Sequence, residues 1–424
     1  MDEPSVAIVG GGLAGLTAAV ELAGRGHAVT VYEAASQVGG QVRSEHHDGF
    51  TLDRGFQVLF AAYPTAGRVL DLSALRLRHF RPGAVLAREG ARSVLSDPLR
   101  DPRTALASLS CPEVTLGDKL RTLLLRERLR RTPFGTIFSG ADRSIDEELR
   151  RLGFSDAYID HFARPFFGAI TQDAHLGSSK QLFDYIFKAL SMGPIAVPSA
   201  GMGAISEQLA ARARTAGATI HTGRRVREVT PGGDHAVLTT DGEQRRVDAA
   251  IVATDPQTTA SLLPSTEVPT ATRSTITQHY ALPADGLPET AGRIILDVTG
   301  ADPAVVVPMS AVAPSYAPGD AELLVASFID TPLETPAETL ARSTSDRLAR
   351  WYPERSFADL RVLATDRIAD AQPVQPPGFI ATRPAVTAPP PPVVLAGAVT
   401  RWGSIEGAIA SGIDAATAVG DAHR

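Results

Sequence analysis

The chain has 424 residues, 44% hydrophobic and 21% charged, which is enough for two or three domains around a large core. Its 41 basic and 47 acidic residues give a net charge of -6, so nothing electrostatic favours a nucleic-acid partner. Cys111 is the single cysteine, which excludes an internal disulfide and a cysteine metal cluster.

The opening Met1-Asp2-Glu3-Pro4 is acidic, and glycines break the apolar run behind it. It reads as a first strand and helix, not as a signal peptide. No run of about 18 uninterrupted apolar residues occurs, so no membrane span is expected. With the lone thiol, this reads as a cytoplasmic protein.

Val6 to Leu22 organises the rest. A short apolar strand ends in Gly10-Gly11-Gly12, and a helix of small residues follows. Gly10, Gly12 and Gly15 stand in GxGxxG spacing: the first permits the tight turn, the second lets backbone approach a pyrophosphate, and the third packs helix against sheet. Leu13 and Ala14 open the helix, whose first N–H groups and positive dipole suit phosphate. A second strand, Ala28–Tyr32, ends at Glu33, roughly 20 residues past the glycines, where a carboxylate grips ribose hydroxyls. Ala34 follows it, and then a loop with the adjacent glycines Gly39-Gly40, trailed by Gln41 and Arg43. Adjacent glycines let backbone amides face an anion. Residues 49–60 alternate like strands around an Asp53-Arg54-Gly55 corner.

From about residue 61 to 195 the pattern reads as mostly helical. Leu116 to Arg131 is basic and reads as amphipathic, with Leu120, Leu123, Leu124 and Leu129 apolar. Ser144, three residues before Glu147, reads as a helix N-cap. Gln181 to Leu190 is aromatic-rich. Residues 199–255 return to α/β character, with a helix over 205–216, a strand over 219–222, and a hairpin through Gly232-Gly233 and Asp241-Gly242. Strand Leu323–Ile329, a helix over 336–351, a proline-rich stretch at 389–392 and a last strand over 393–396 complete the chain. No internal repeat is evident.

These motifs together resemble the flavin-dependent amine oxidase superfamily, which includes phytoene desaturases, squalene-type desaturases and protoporphyrinogen oxidases. The resemblance rests on the glycine fingerprint, Glu33, Gly39-Gly40 and Asp53-x-Gly55. Further along it rests on Pro198–Ile205, Ala250–Thr254, Leu395–Ala398 and Ser404–Gly412, so it spans essentially the whole chain. It implies an α/β fold: a Rossmann-like FAD-binding domain from 1–95, 195–270 and 371–424, with an inserted α+β substrate domain from 96–194 and 271–370.

The resemblance also implies non-covalent FAD. Gly10, Gly12 and Gly15 would hold the pyrophosphate, Glu33 the ribose, and Gly39 and Gly40 the ribityl region. Gly55 and Phe56 would approach the isoalloxazine, with Gln57 also near the flavin ring, and Val226 would meet adenine through its backbone. Gly397, Ala398, Ser404, Ile405 and Ala408 would border the pyrophosphate and the pyrimidine end of the flavin.

Three departures matter. Positions that often hold arginine in the family are Ala35, Gln37 and Gln41, which leaves Arg43 as the nearest cation. The closing Gly397-Ala398 lacks the family's carboxylate. Each missing charged hydrogen bond costs about 1.5–3 kcal/mol if nothing replaces it. The lysine that positions water in many amine oxidases has no counterpart, because none follows Lys188; Arg273 and Arg293 are the candidate substitutes. An arginine cannot readily deprotonate, which favours desaturase-type hydride removal from a hydrophobic, isoprenoid-like molecule, with oxygen or a quinone accepting the electrons. The alternatives are an amine or porphyrinogen oxidase and a flavin-binding partner subunit with a degraded site.

The phenylalanines at 166, 167, 183 and 187 with Tyr185 are either core or substrate tunnel. The basic helix over 116–131 is either a solvated face or a peripheral contact at the inner face of the membrane. His161, His175 and His279, with Asp184 and Tyr280, are candidate proton-handling groups, and nothing in the sequence selects a catalytic residue or an oligomeric state. No histidine pair has metal-ligand spacing.

Overall fold

The computed structural model describes residues 4–422; the acidic opening Met1–Glu3 lies outside them. Five parallel strands form the first sheet, in the order Thr219–His221, Ala28–Tyr32, Ser5–Val9, Ala249–Val252, Val393–Leu395. The central strand is buried on both faces, as its unbroken Val6-Ala7-Ile8-Val9 run requires. Helices Leu13–Ala23, Gly203–Thr215 and Ile405–Ala422 cover one face. A β-carbon at Gly412 would lie 2.4 Å from the Ala14 carbonyl oxygen, so first and last helices meet through a position only glycine can fill. The antiparallel meander 226–247 covers the other face, turning where the Gly-Gly and Asp-Gly pairs predict.

The second sheet has seven strands, ordered Arg361–Pro373, Thr272–Pro283, Ala321–Ile329, Val305–Pro308, Ile294–Asp297, Ala84–Arg88, Ala91–Leu95. Side chains alternate along Thr272–Pro283. Ile276 and Tyr280 pack towards helix Ala337–Trp351, while Thr275 and Thr277 face the interior cavity. Helices Leu116–Arg131, Ile145–Arg151, Arg164–Thr171 and Lys180–Met192 form a separate layer. The predicted cap is present: Ser144 Oγ accepts from Glu147 N, and Glu147 returns the bond.

Residues 84–95 fall in the stretch expected to be mostly helical and in the segment 1–95 assigned to FAD binding; they form a hairpin at the edge of the second sheet, paired in parallel with Ile294–Asp297. Its two-residue turn, Glu89-Gly90, has Gly90 at φ +66°, and that glycine was the available signal. Leu116–Arg131 is a helix, but not with one apolar face. Leu125 and Leu129 are buried, whereas Leu120, Leu123 and Leu124 are exposed.

Candidate active site and cofactor groove

The glycine turn builds one wall of a groove. Gly10 sits at φ +108°, and a β-carbon there would come within 2.6 Å of the Ala253 carbonyl oxygen. Gly15 is closer still: its β-carbon would fall 2.0 Å from the Gly10 oxygen, so its role is helix-on-strand packing. At Gly12 a β-carbon would meet nothing within 4 Å, because this glycine faces open space. Helix Leu13–Ala23 starts there with no side-chain cap, leaving first-turn N–H groups to serve an anion. Glu33 is held at the end of the second strand by Gly11 N (2.8 Å) and Ala35 N (2.7 Å), which donate to its two oxygens. Gly39 docks alongside, donating to the Gly11 carbonyl at 2.8 Å.

The opposite wall comes from the closing segment. Gly397, at φ +97°, donates to Ser411 Oγ at 2.8 Å, and Ser404 Oγ accepts from Gly407 N at 2.9 Å where the last helix begins. Between the walls lies a cavity of about 760 Å³. Every position assigned from sequence lines it except Gly15. Arg43 Nε, at its edge, is buried without a hydrogen-bond partner. An open glycine cradle, an uncapped helix start and an unpartnered guanidinium fit a dinucleotide phosphate.

The cavity continues past the groove into an apolar chamber lined by Phe56, Phe60, Phe80, Phe166, Leu182, Ile186, Ile294 and Val305, with Thr275, Thr277 and Ser327 among its few polar side chains. Phe166 therefore lines the chamber, while Phe167 and Phe183 are buried core packed edge to face behind it. The Asp53–Phe56 corner straps groove to chamber. Gly55 N donates to Asp366 (3.0 Å), Phe56 N to Thr277 Oγ1 (3.3 Å), and Gln57 Nε2 to the carbonyls of Gln41 (2.7 Å) and Arg54 (2.8 Å).

Asp53 is buried and accepts from Ser44 Oγ (2.5 Å), Met202 N (2.8 Å) and Tyr316 Oη (2.9 Å). Burial outweighs these bonds and raises its pKa from 3.8 to about 6. The native state then binds more protons than the unfolded chain between those values, so stability falls as pH rises through them, by on the order of 3 kcal/mol. Asp53→Asn, which keeps two acceptor bonds and can donate to Tyr316, is expected to flatten this dependence in thermal melts between pH 4 and 7.

Several sequence candidates stand elsewhere. Asp184 faces Lys180 (3.3 Å) and Arg128 (3.6 Å) outside the chamber. Tyr280 Oη donates to Gln278 and lies 2.8 Å from Thr344 Oγ1 on the far side of the sheet. Arg273 pairs with Asp173 at 3.2 Å and Arg293 with Asp101, so neither takes the missing lysine's place. Each lysine is also engaged: Lys119 with the Leu109 carbonyl, Lys180 with Asp184, and Lys188 with the Leu129 carbonyl. His161 lies 3.4 Å from the Glu113 carbonyl oxygen, and His175 N donates to Asp173; neither residue lines the cavity. His279 alone of the three histidines borders the corner, in a small void beside Asp53 and Phe56. Burial lowers its pKa and favours the neutral ring.

Three residues that sequence reading left unassigned also serve the site, as does Gln57, which that reading placed near the flavin ring. Arg54 and Arg225 line the cavity. Burial, reinforced by neighbouring Arg43, lowers the Arg54 pKa. Gln57 closes the corner, as above. Glu406, 1% exposed, accepts from Thr65 N, Ala66 N and Tyr185 Oη, tying the last helix to the substrate side. Removing its acceptors strands two buried donors and one part-buried donor, so Glu406→Ala is expected to lose about 3 kcal/mol in a denaturant titration. Its place directly after Ser404-Ile405 was the signal in the sequence.

Residues 13–420 match the model of the family described as flavin containing amine oxidoreductase. The chain belongs to that family. This flavin-dependent oxidoreductase is 30% identical to protoporphyrinogen oxidase 2 of Arabidopsis thaliana over 163 residues, 38% of this chain but only 32% of the plant enzyme's length. It is 25% identical to a hydroxysqualene dehydroxylase of Rhodopseudomonas palustris over 68% of this chain and 71% of that protein. Over 50 residues, 12% of this chain and 10% of the relative, it is 50% identical to a 4,4'-diapophytoene desaturase of Staphylococcus haemolyticus. Among solved structures, a putative protoporphyrinogen oxidase from Exiguobacterium superposes with a TM-score of 0.73 at 19% identity, covering 100% of this chain and 99% of that one. Putrescine oxidase gives 0.69 at 19% identity and covers both chains fully. At these identities the superpositions show the fold. The α/β Rossmann-like sheet with a mixed-sheet substrate domain is the family's architecture.

Proposed function

We propose that this family member holds FAD non-covalently and removes hydride from a carbon of a hydrophobic, isoprenoid-like molecule, passing electrons to oxygen or a quinone. The observation that carries the reading is the apolar chamber opening directly from the dinucleotide groove. Bound FAD supplies the hydride-accepting chemistry. The chain's part is to bind and orient. The glycine turn and uncapped helix suit the pyrophosphate, each Glu33 oxygen keeps a lone pair for a ribose hydroxyl, and Arg43 and Arg225 bring positive charge to the groove. Phe56, Phe80 and Phe166 exclude water and hold an apolar substrate by contact, so positioning supplies much of the rate.

The lysines are all engaged elsewhere, which favours this reading over amine oxidation by the lysine route. The hydroxysqualene dehydroxylase and 4,4'-diapophytoene desaturase among its relatives lend it support. The cations at the groove and the intact glycine cradle speak against a degraded, non-catalytic flavin subunit.

The test is anaerobic reduction of the bound flavin by panels of isoprenoids, amines and porphyrinogens, followed by loss of oxidised-flavin absorbance. Bleaching by the isoprenoids is the expected result. Bleaching by amines alone refutes the proposal, and a flavin reduced only by dithionite supports the partner-subunit alternative.

A further inference from the structure

Helix Leu116–Arg131 carries leucines on two opposite faces. At about 100° per residue, Asp118, Leu125 and Leu129 share one face and are buried. Leu116, Leu120, Leu123 and Leu124 share the other and are 68, 59, 43 and 63% exposed. The short helix Ala105–Ser110 exposes Leu106 and Leu109, and Leu99 just before it is 71% exposed. Lys119 Nζ joins the two helices by donating to the carbonyls of Leu109 (2.8 Å) and Cys111 (3.2 Å). Among the described residues, the only other large hydrophobics this exposed are Met192 and Val362. The apolar exposure is therefore concentrated in residues 99–124.

Its surroundings are positive. Arg103, Arg130 and Arg131 are exposed around the leucines, with Arg121 half-buried beside them. The acids of this segment are withdrawn: Asp101 and Glu113 are buried against Arg293 and Arg88, and Asp118 caps the helix. Glu127, by contrast, is exposed on the leucine face itself, paired with Arg131 at 2.8 Å, and Asp97 is half-buried against Arg126 at 3.4 Å. We propose that this leucine face, ringed by arginine, docks on the surface of an anionic lipid bilayer. Leucines between cationic flanks suit the boundary between headgroups and acyl chains. A two-fold dimer through the same face would oppose arginine to arginine, which disfavours a second copy as the occupant.

The docking layer backs directly onto the chamber wall. Leu125 and Leu129 pack in the same core as helix Lys180–Met192, and Lys188 Nζ donates to the Leu129 carbonyl at 2.8 Å. That helix presents Leu182 and Ile186 to the chamber. The purpose of docking, access to a lipid-dissolved substrate, rests on the proposed function; the contact itself does not.

The experiment is co-sedimentation of the flavin-loaded protein with phosphatidylcholine vesicles, with and without about 30% phosphatidylglycerol. The comparison is a variant combining Leu120→Ser, Leu123→Ser and Leu124→Ser, whose side chains leave the core untouched. Binding to anionic vesicles, weakened at least about tenfold in the variant and by high salt, is expected. Flavin content and melting temperature should stay unchanged. Equal sedimentation of the two proteins, absence of binding to anionic vesicles, or a leucine-dependent dimer seen by light scattering without vesicle binding would each overturn the proposal. Substrate oxidation in detergent separates the two readings. Oxidation by the unaltered protein without vesicle binding sinks docking alone, whereas vesicle binding with no isoprenoid oxidised sinks the function alone.

Discussion

Gly12→Val is expected to yield a folded, colourless protein, and Gly15→Val a protein that does not fold. The two glycines belong to one motif but meet opposite surroundings. A side chain at Gly12 enters open space at the mouth of the groove, so the apoprotein loses nothing by it. Gly12 also sits at φ -78°, which valine tolerates. The isopropyl group then occupies the room a pyrophosphate needs, and flavin affinity should fall by at least about 100-fold, some 3 kcal/mol. At Gly15 the new β-carbon lies 2.0 Å from the Gly10 carbonyl oxygen, so the first helix must lift from the sheet. Flavin absorbance per protein after gel filtration, with circular dichroism on the same fractions, checks both. A yellow Gly12→Val protein with normal flavin content would remove the groove from the cofactor assignment.

The second large effect is expected at Phe166→Asp. Phe166 lines the chamber and stacks on Phe162 with ring centroids 5.3 Å apart. A carboxylate there must keep its water, and the water takes the volume that an apolar substrate would fill. Turnover of the proposed hydrophobic substrate should fall by at least about 100-fold, with flavin content and dithionite reduction preserved. Phe166→Leu, which keeps the wall apolar, should retain most of the activity. Equal activity in both variants would place the substrate elsewhere.

Much of the groove was legible in the sequence because its requirements are local. Gly10, Gly12, Gly15 and Glu33 sit within one strand–helix–strand unit, and Gly39-Gly40 needs only the next loop to reach them. The closing residues 397–408 were found by motif, and the last strand places them opposite. The chamber was not legible in this way. Phe166 and Phe167 are adjacent, yet one faces the cavity and the other the core, and only the packing of helix Arg164–Thr171 against Lys180–Met192 decides which. Arg54 was quoted in the Asp-x-Gly corner but left unassigned, since its neighbour Asp366 comes from a distant segment. The leucines of 116–131 show the same gap, because composition does not say which of two stripes finds a partner.

What the sequence determined by itself, then, was the dinucleotide-binding unit and the family, since short-range backbone geometry is written in glycine spacing and in strand and helix period. The tertiary structure alone decided which candidates reach the site. It withdrew Asp184, Tyr280, Arg273 and Arg293 into other contacts and brought forward Arg54 and Arg225. It also placed Ala84–Leu95 in the second sheet and left one leucine face of Leu116–Arg131 exposed. The physical reason is common to all of these. Burial and pairing depend on which distant surfaces meet, and a side chain's neighbours along the chain do not contain that information.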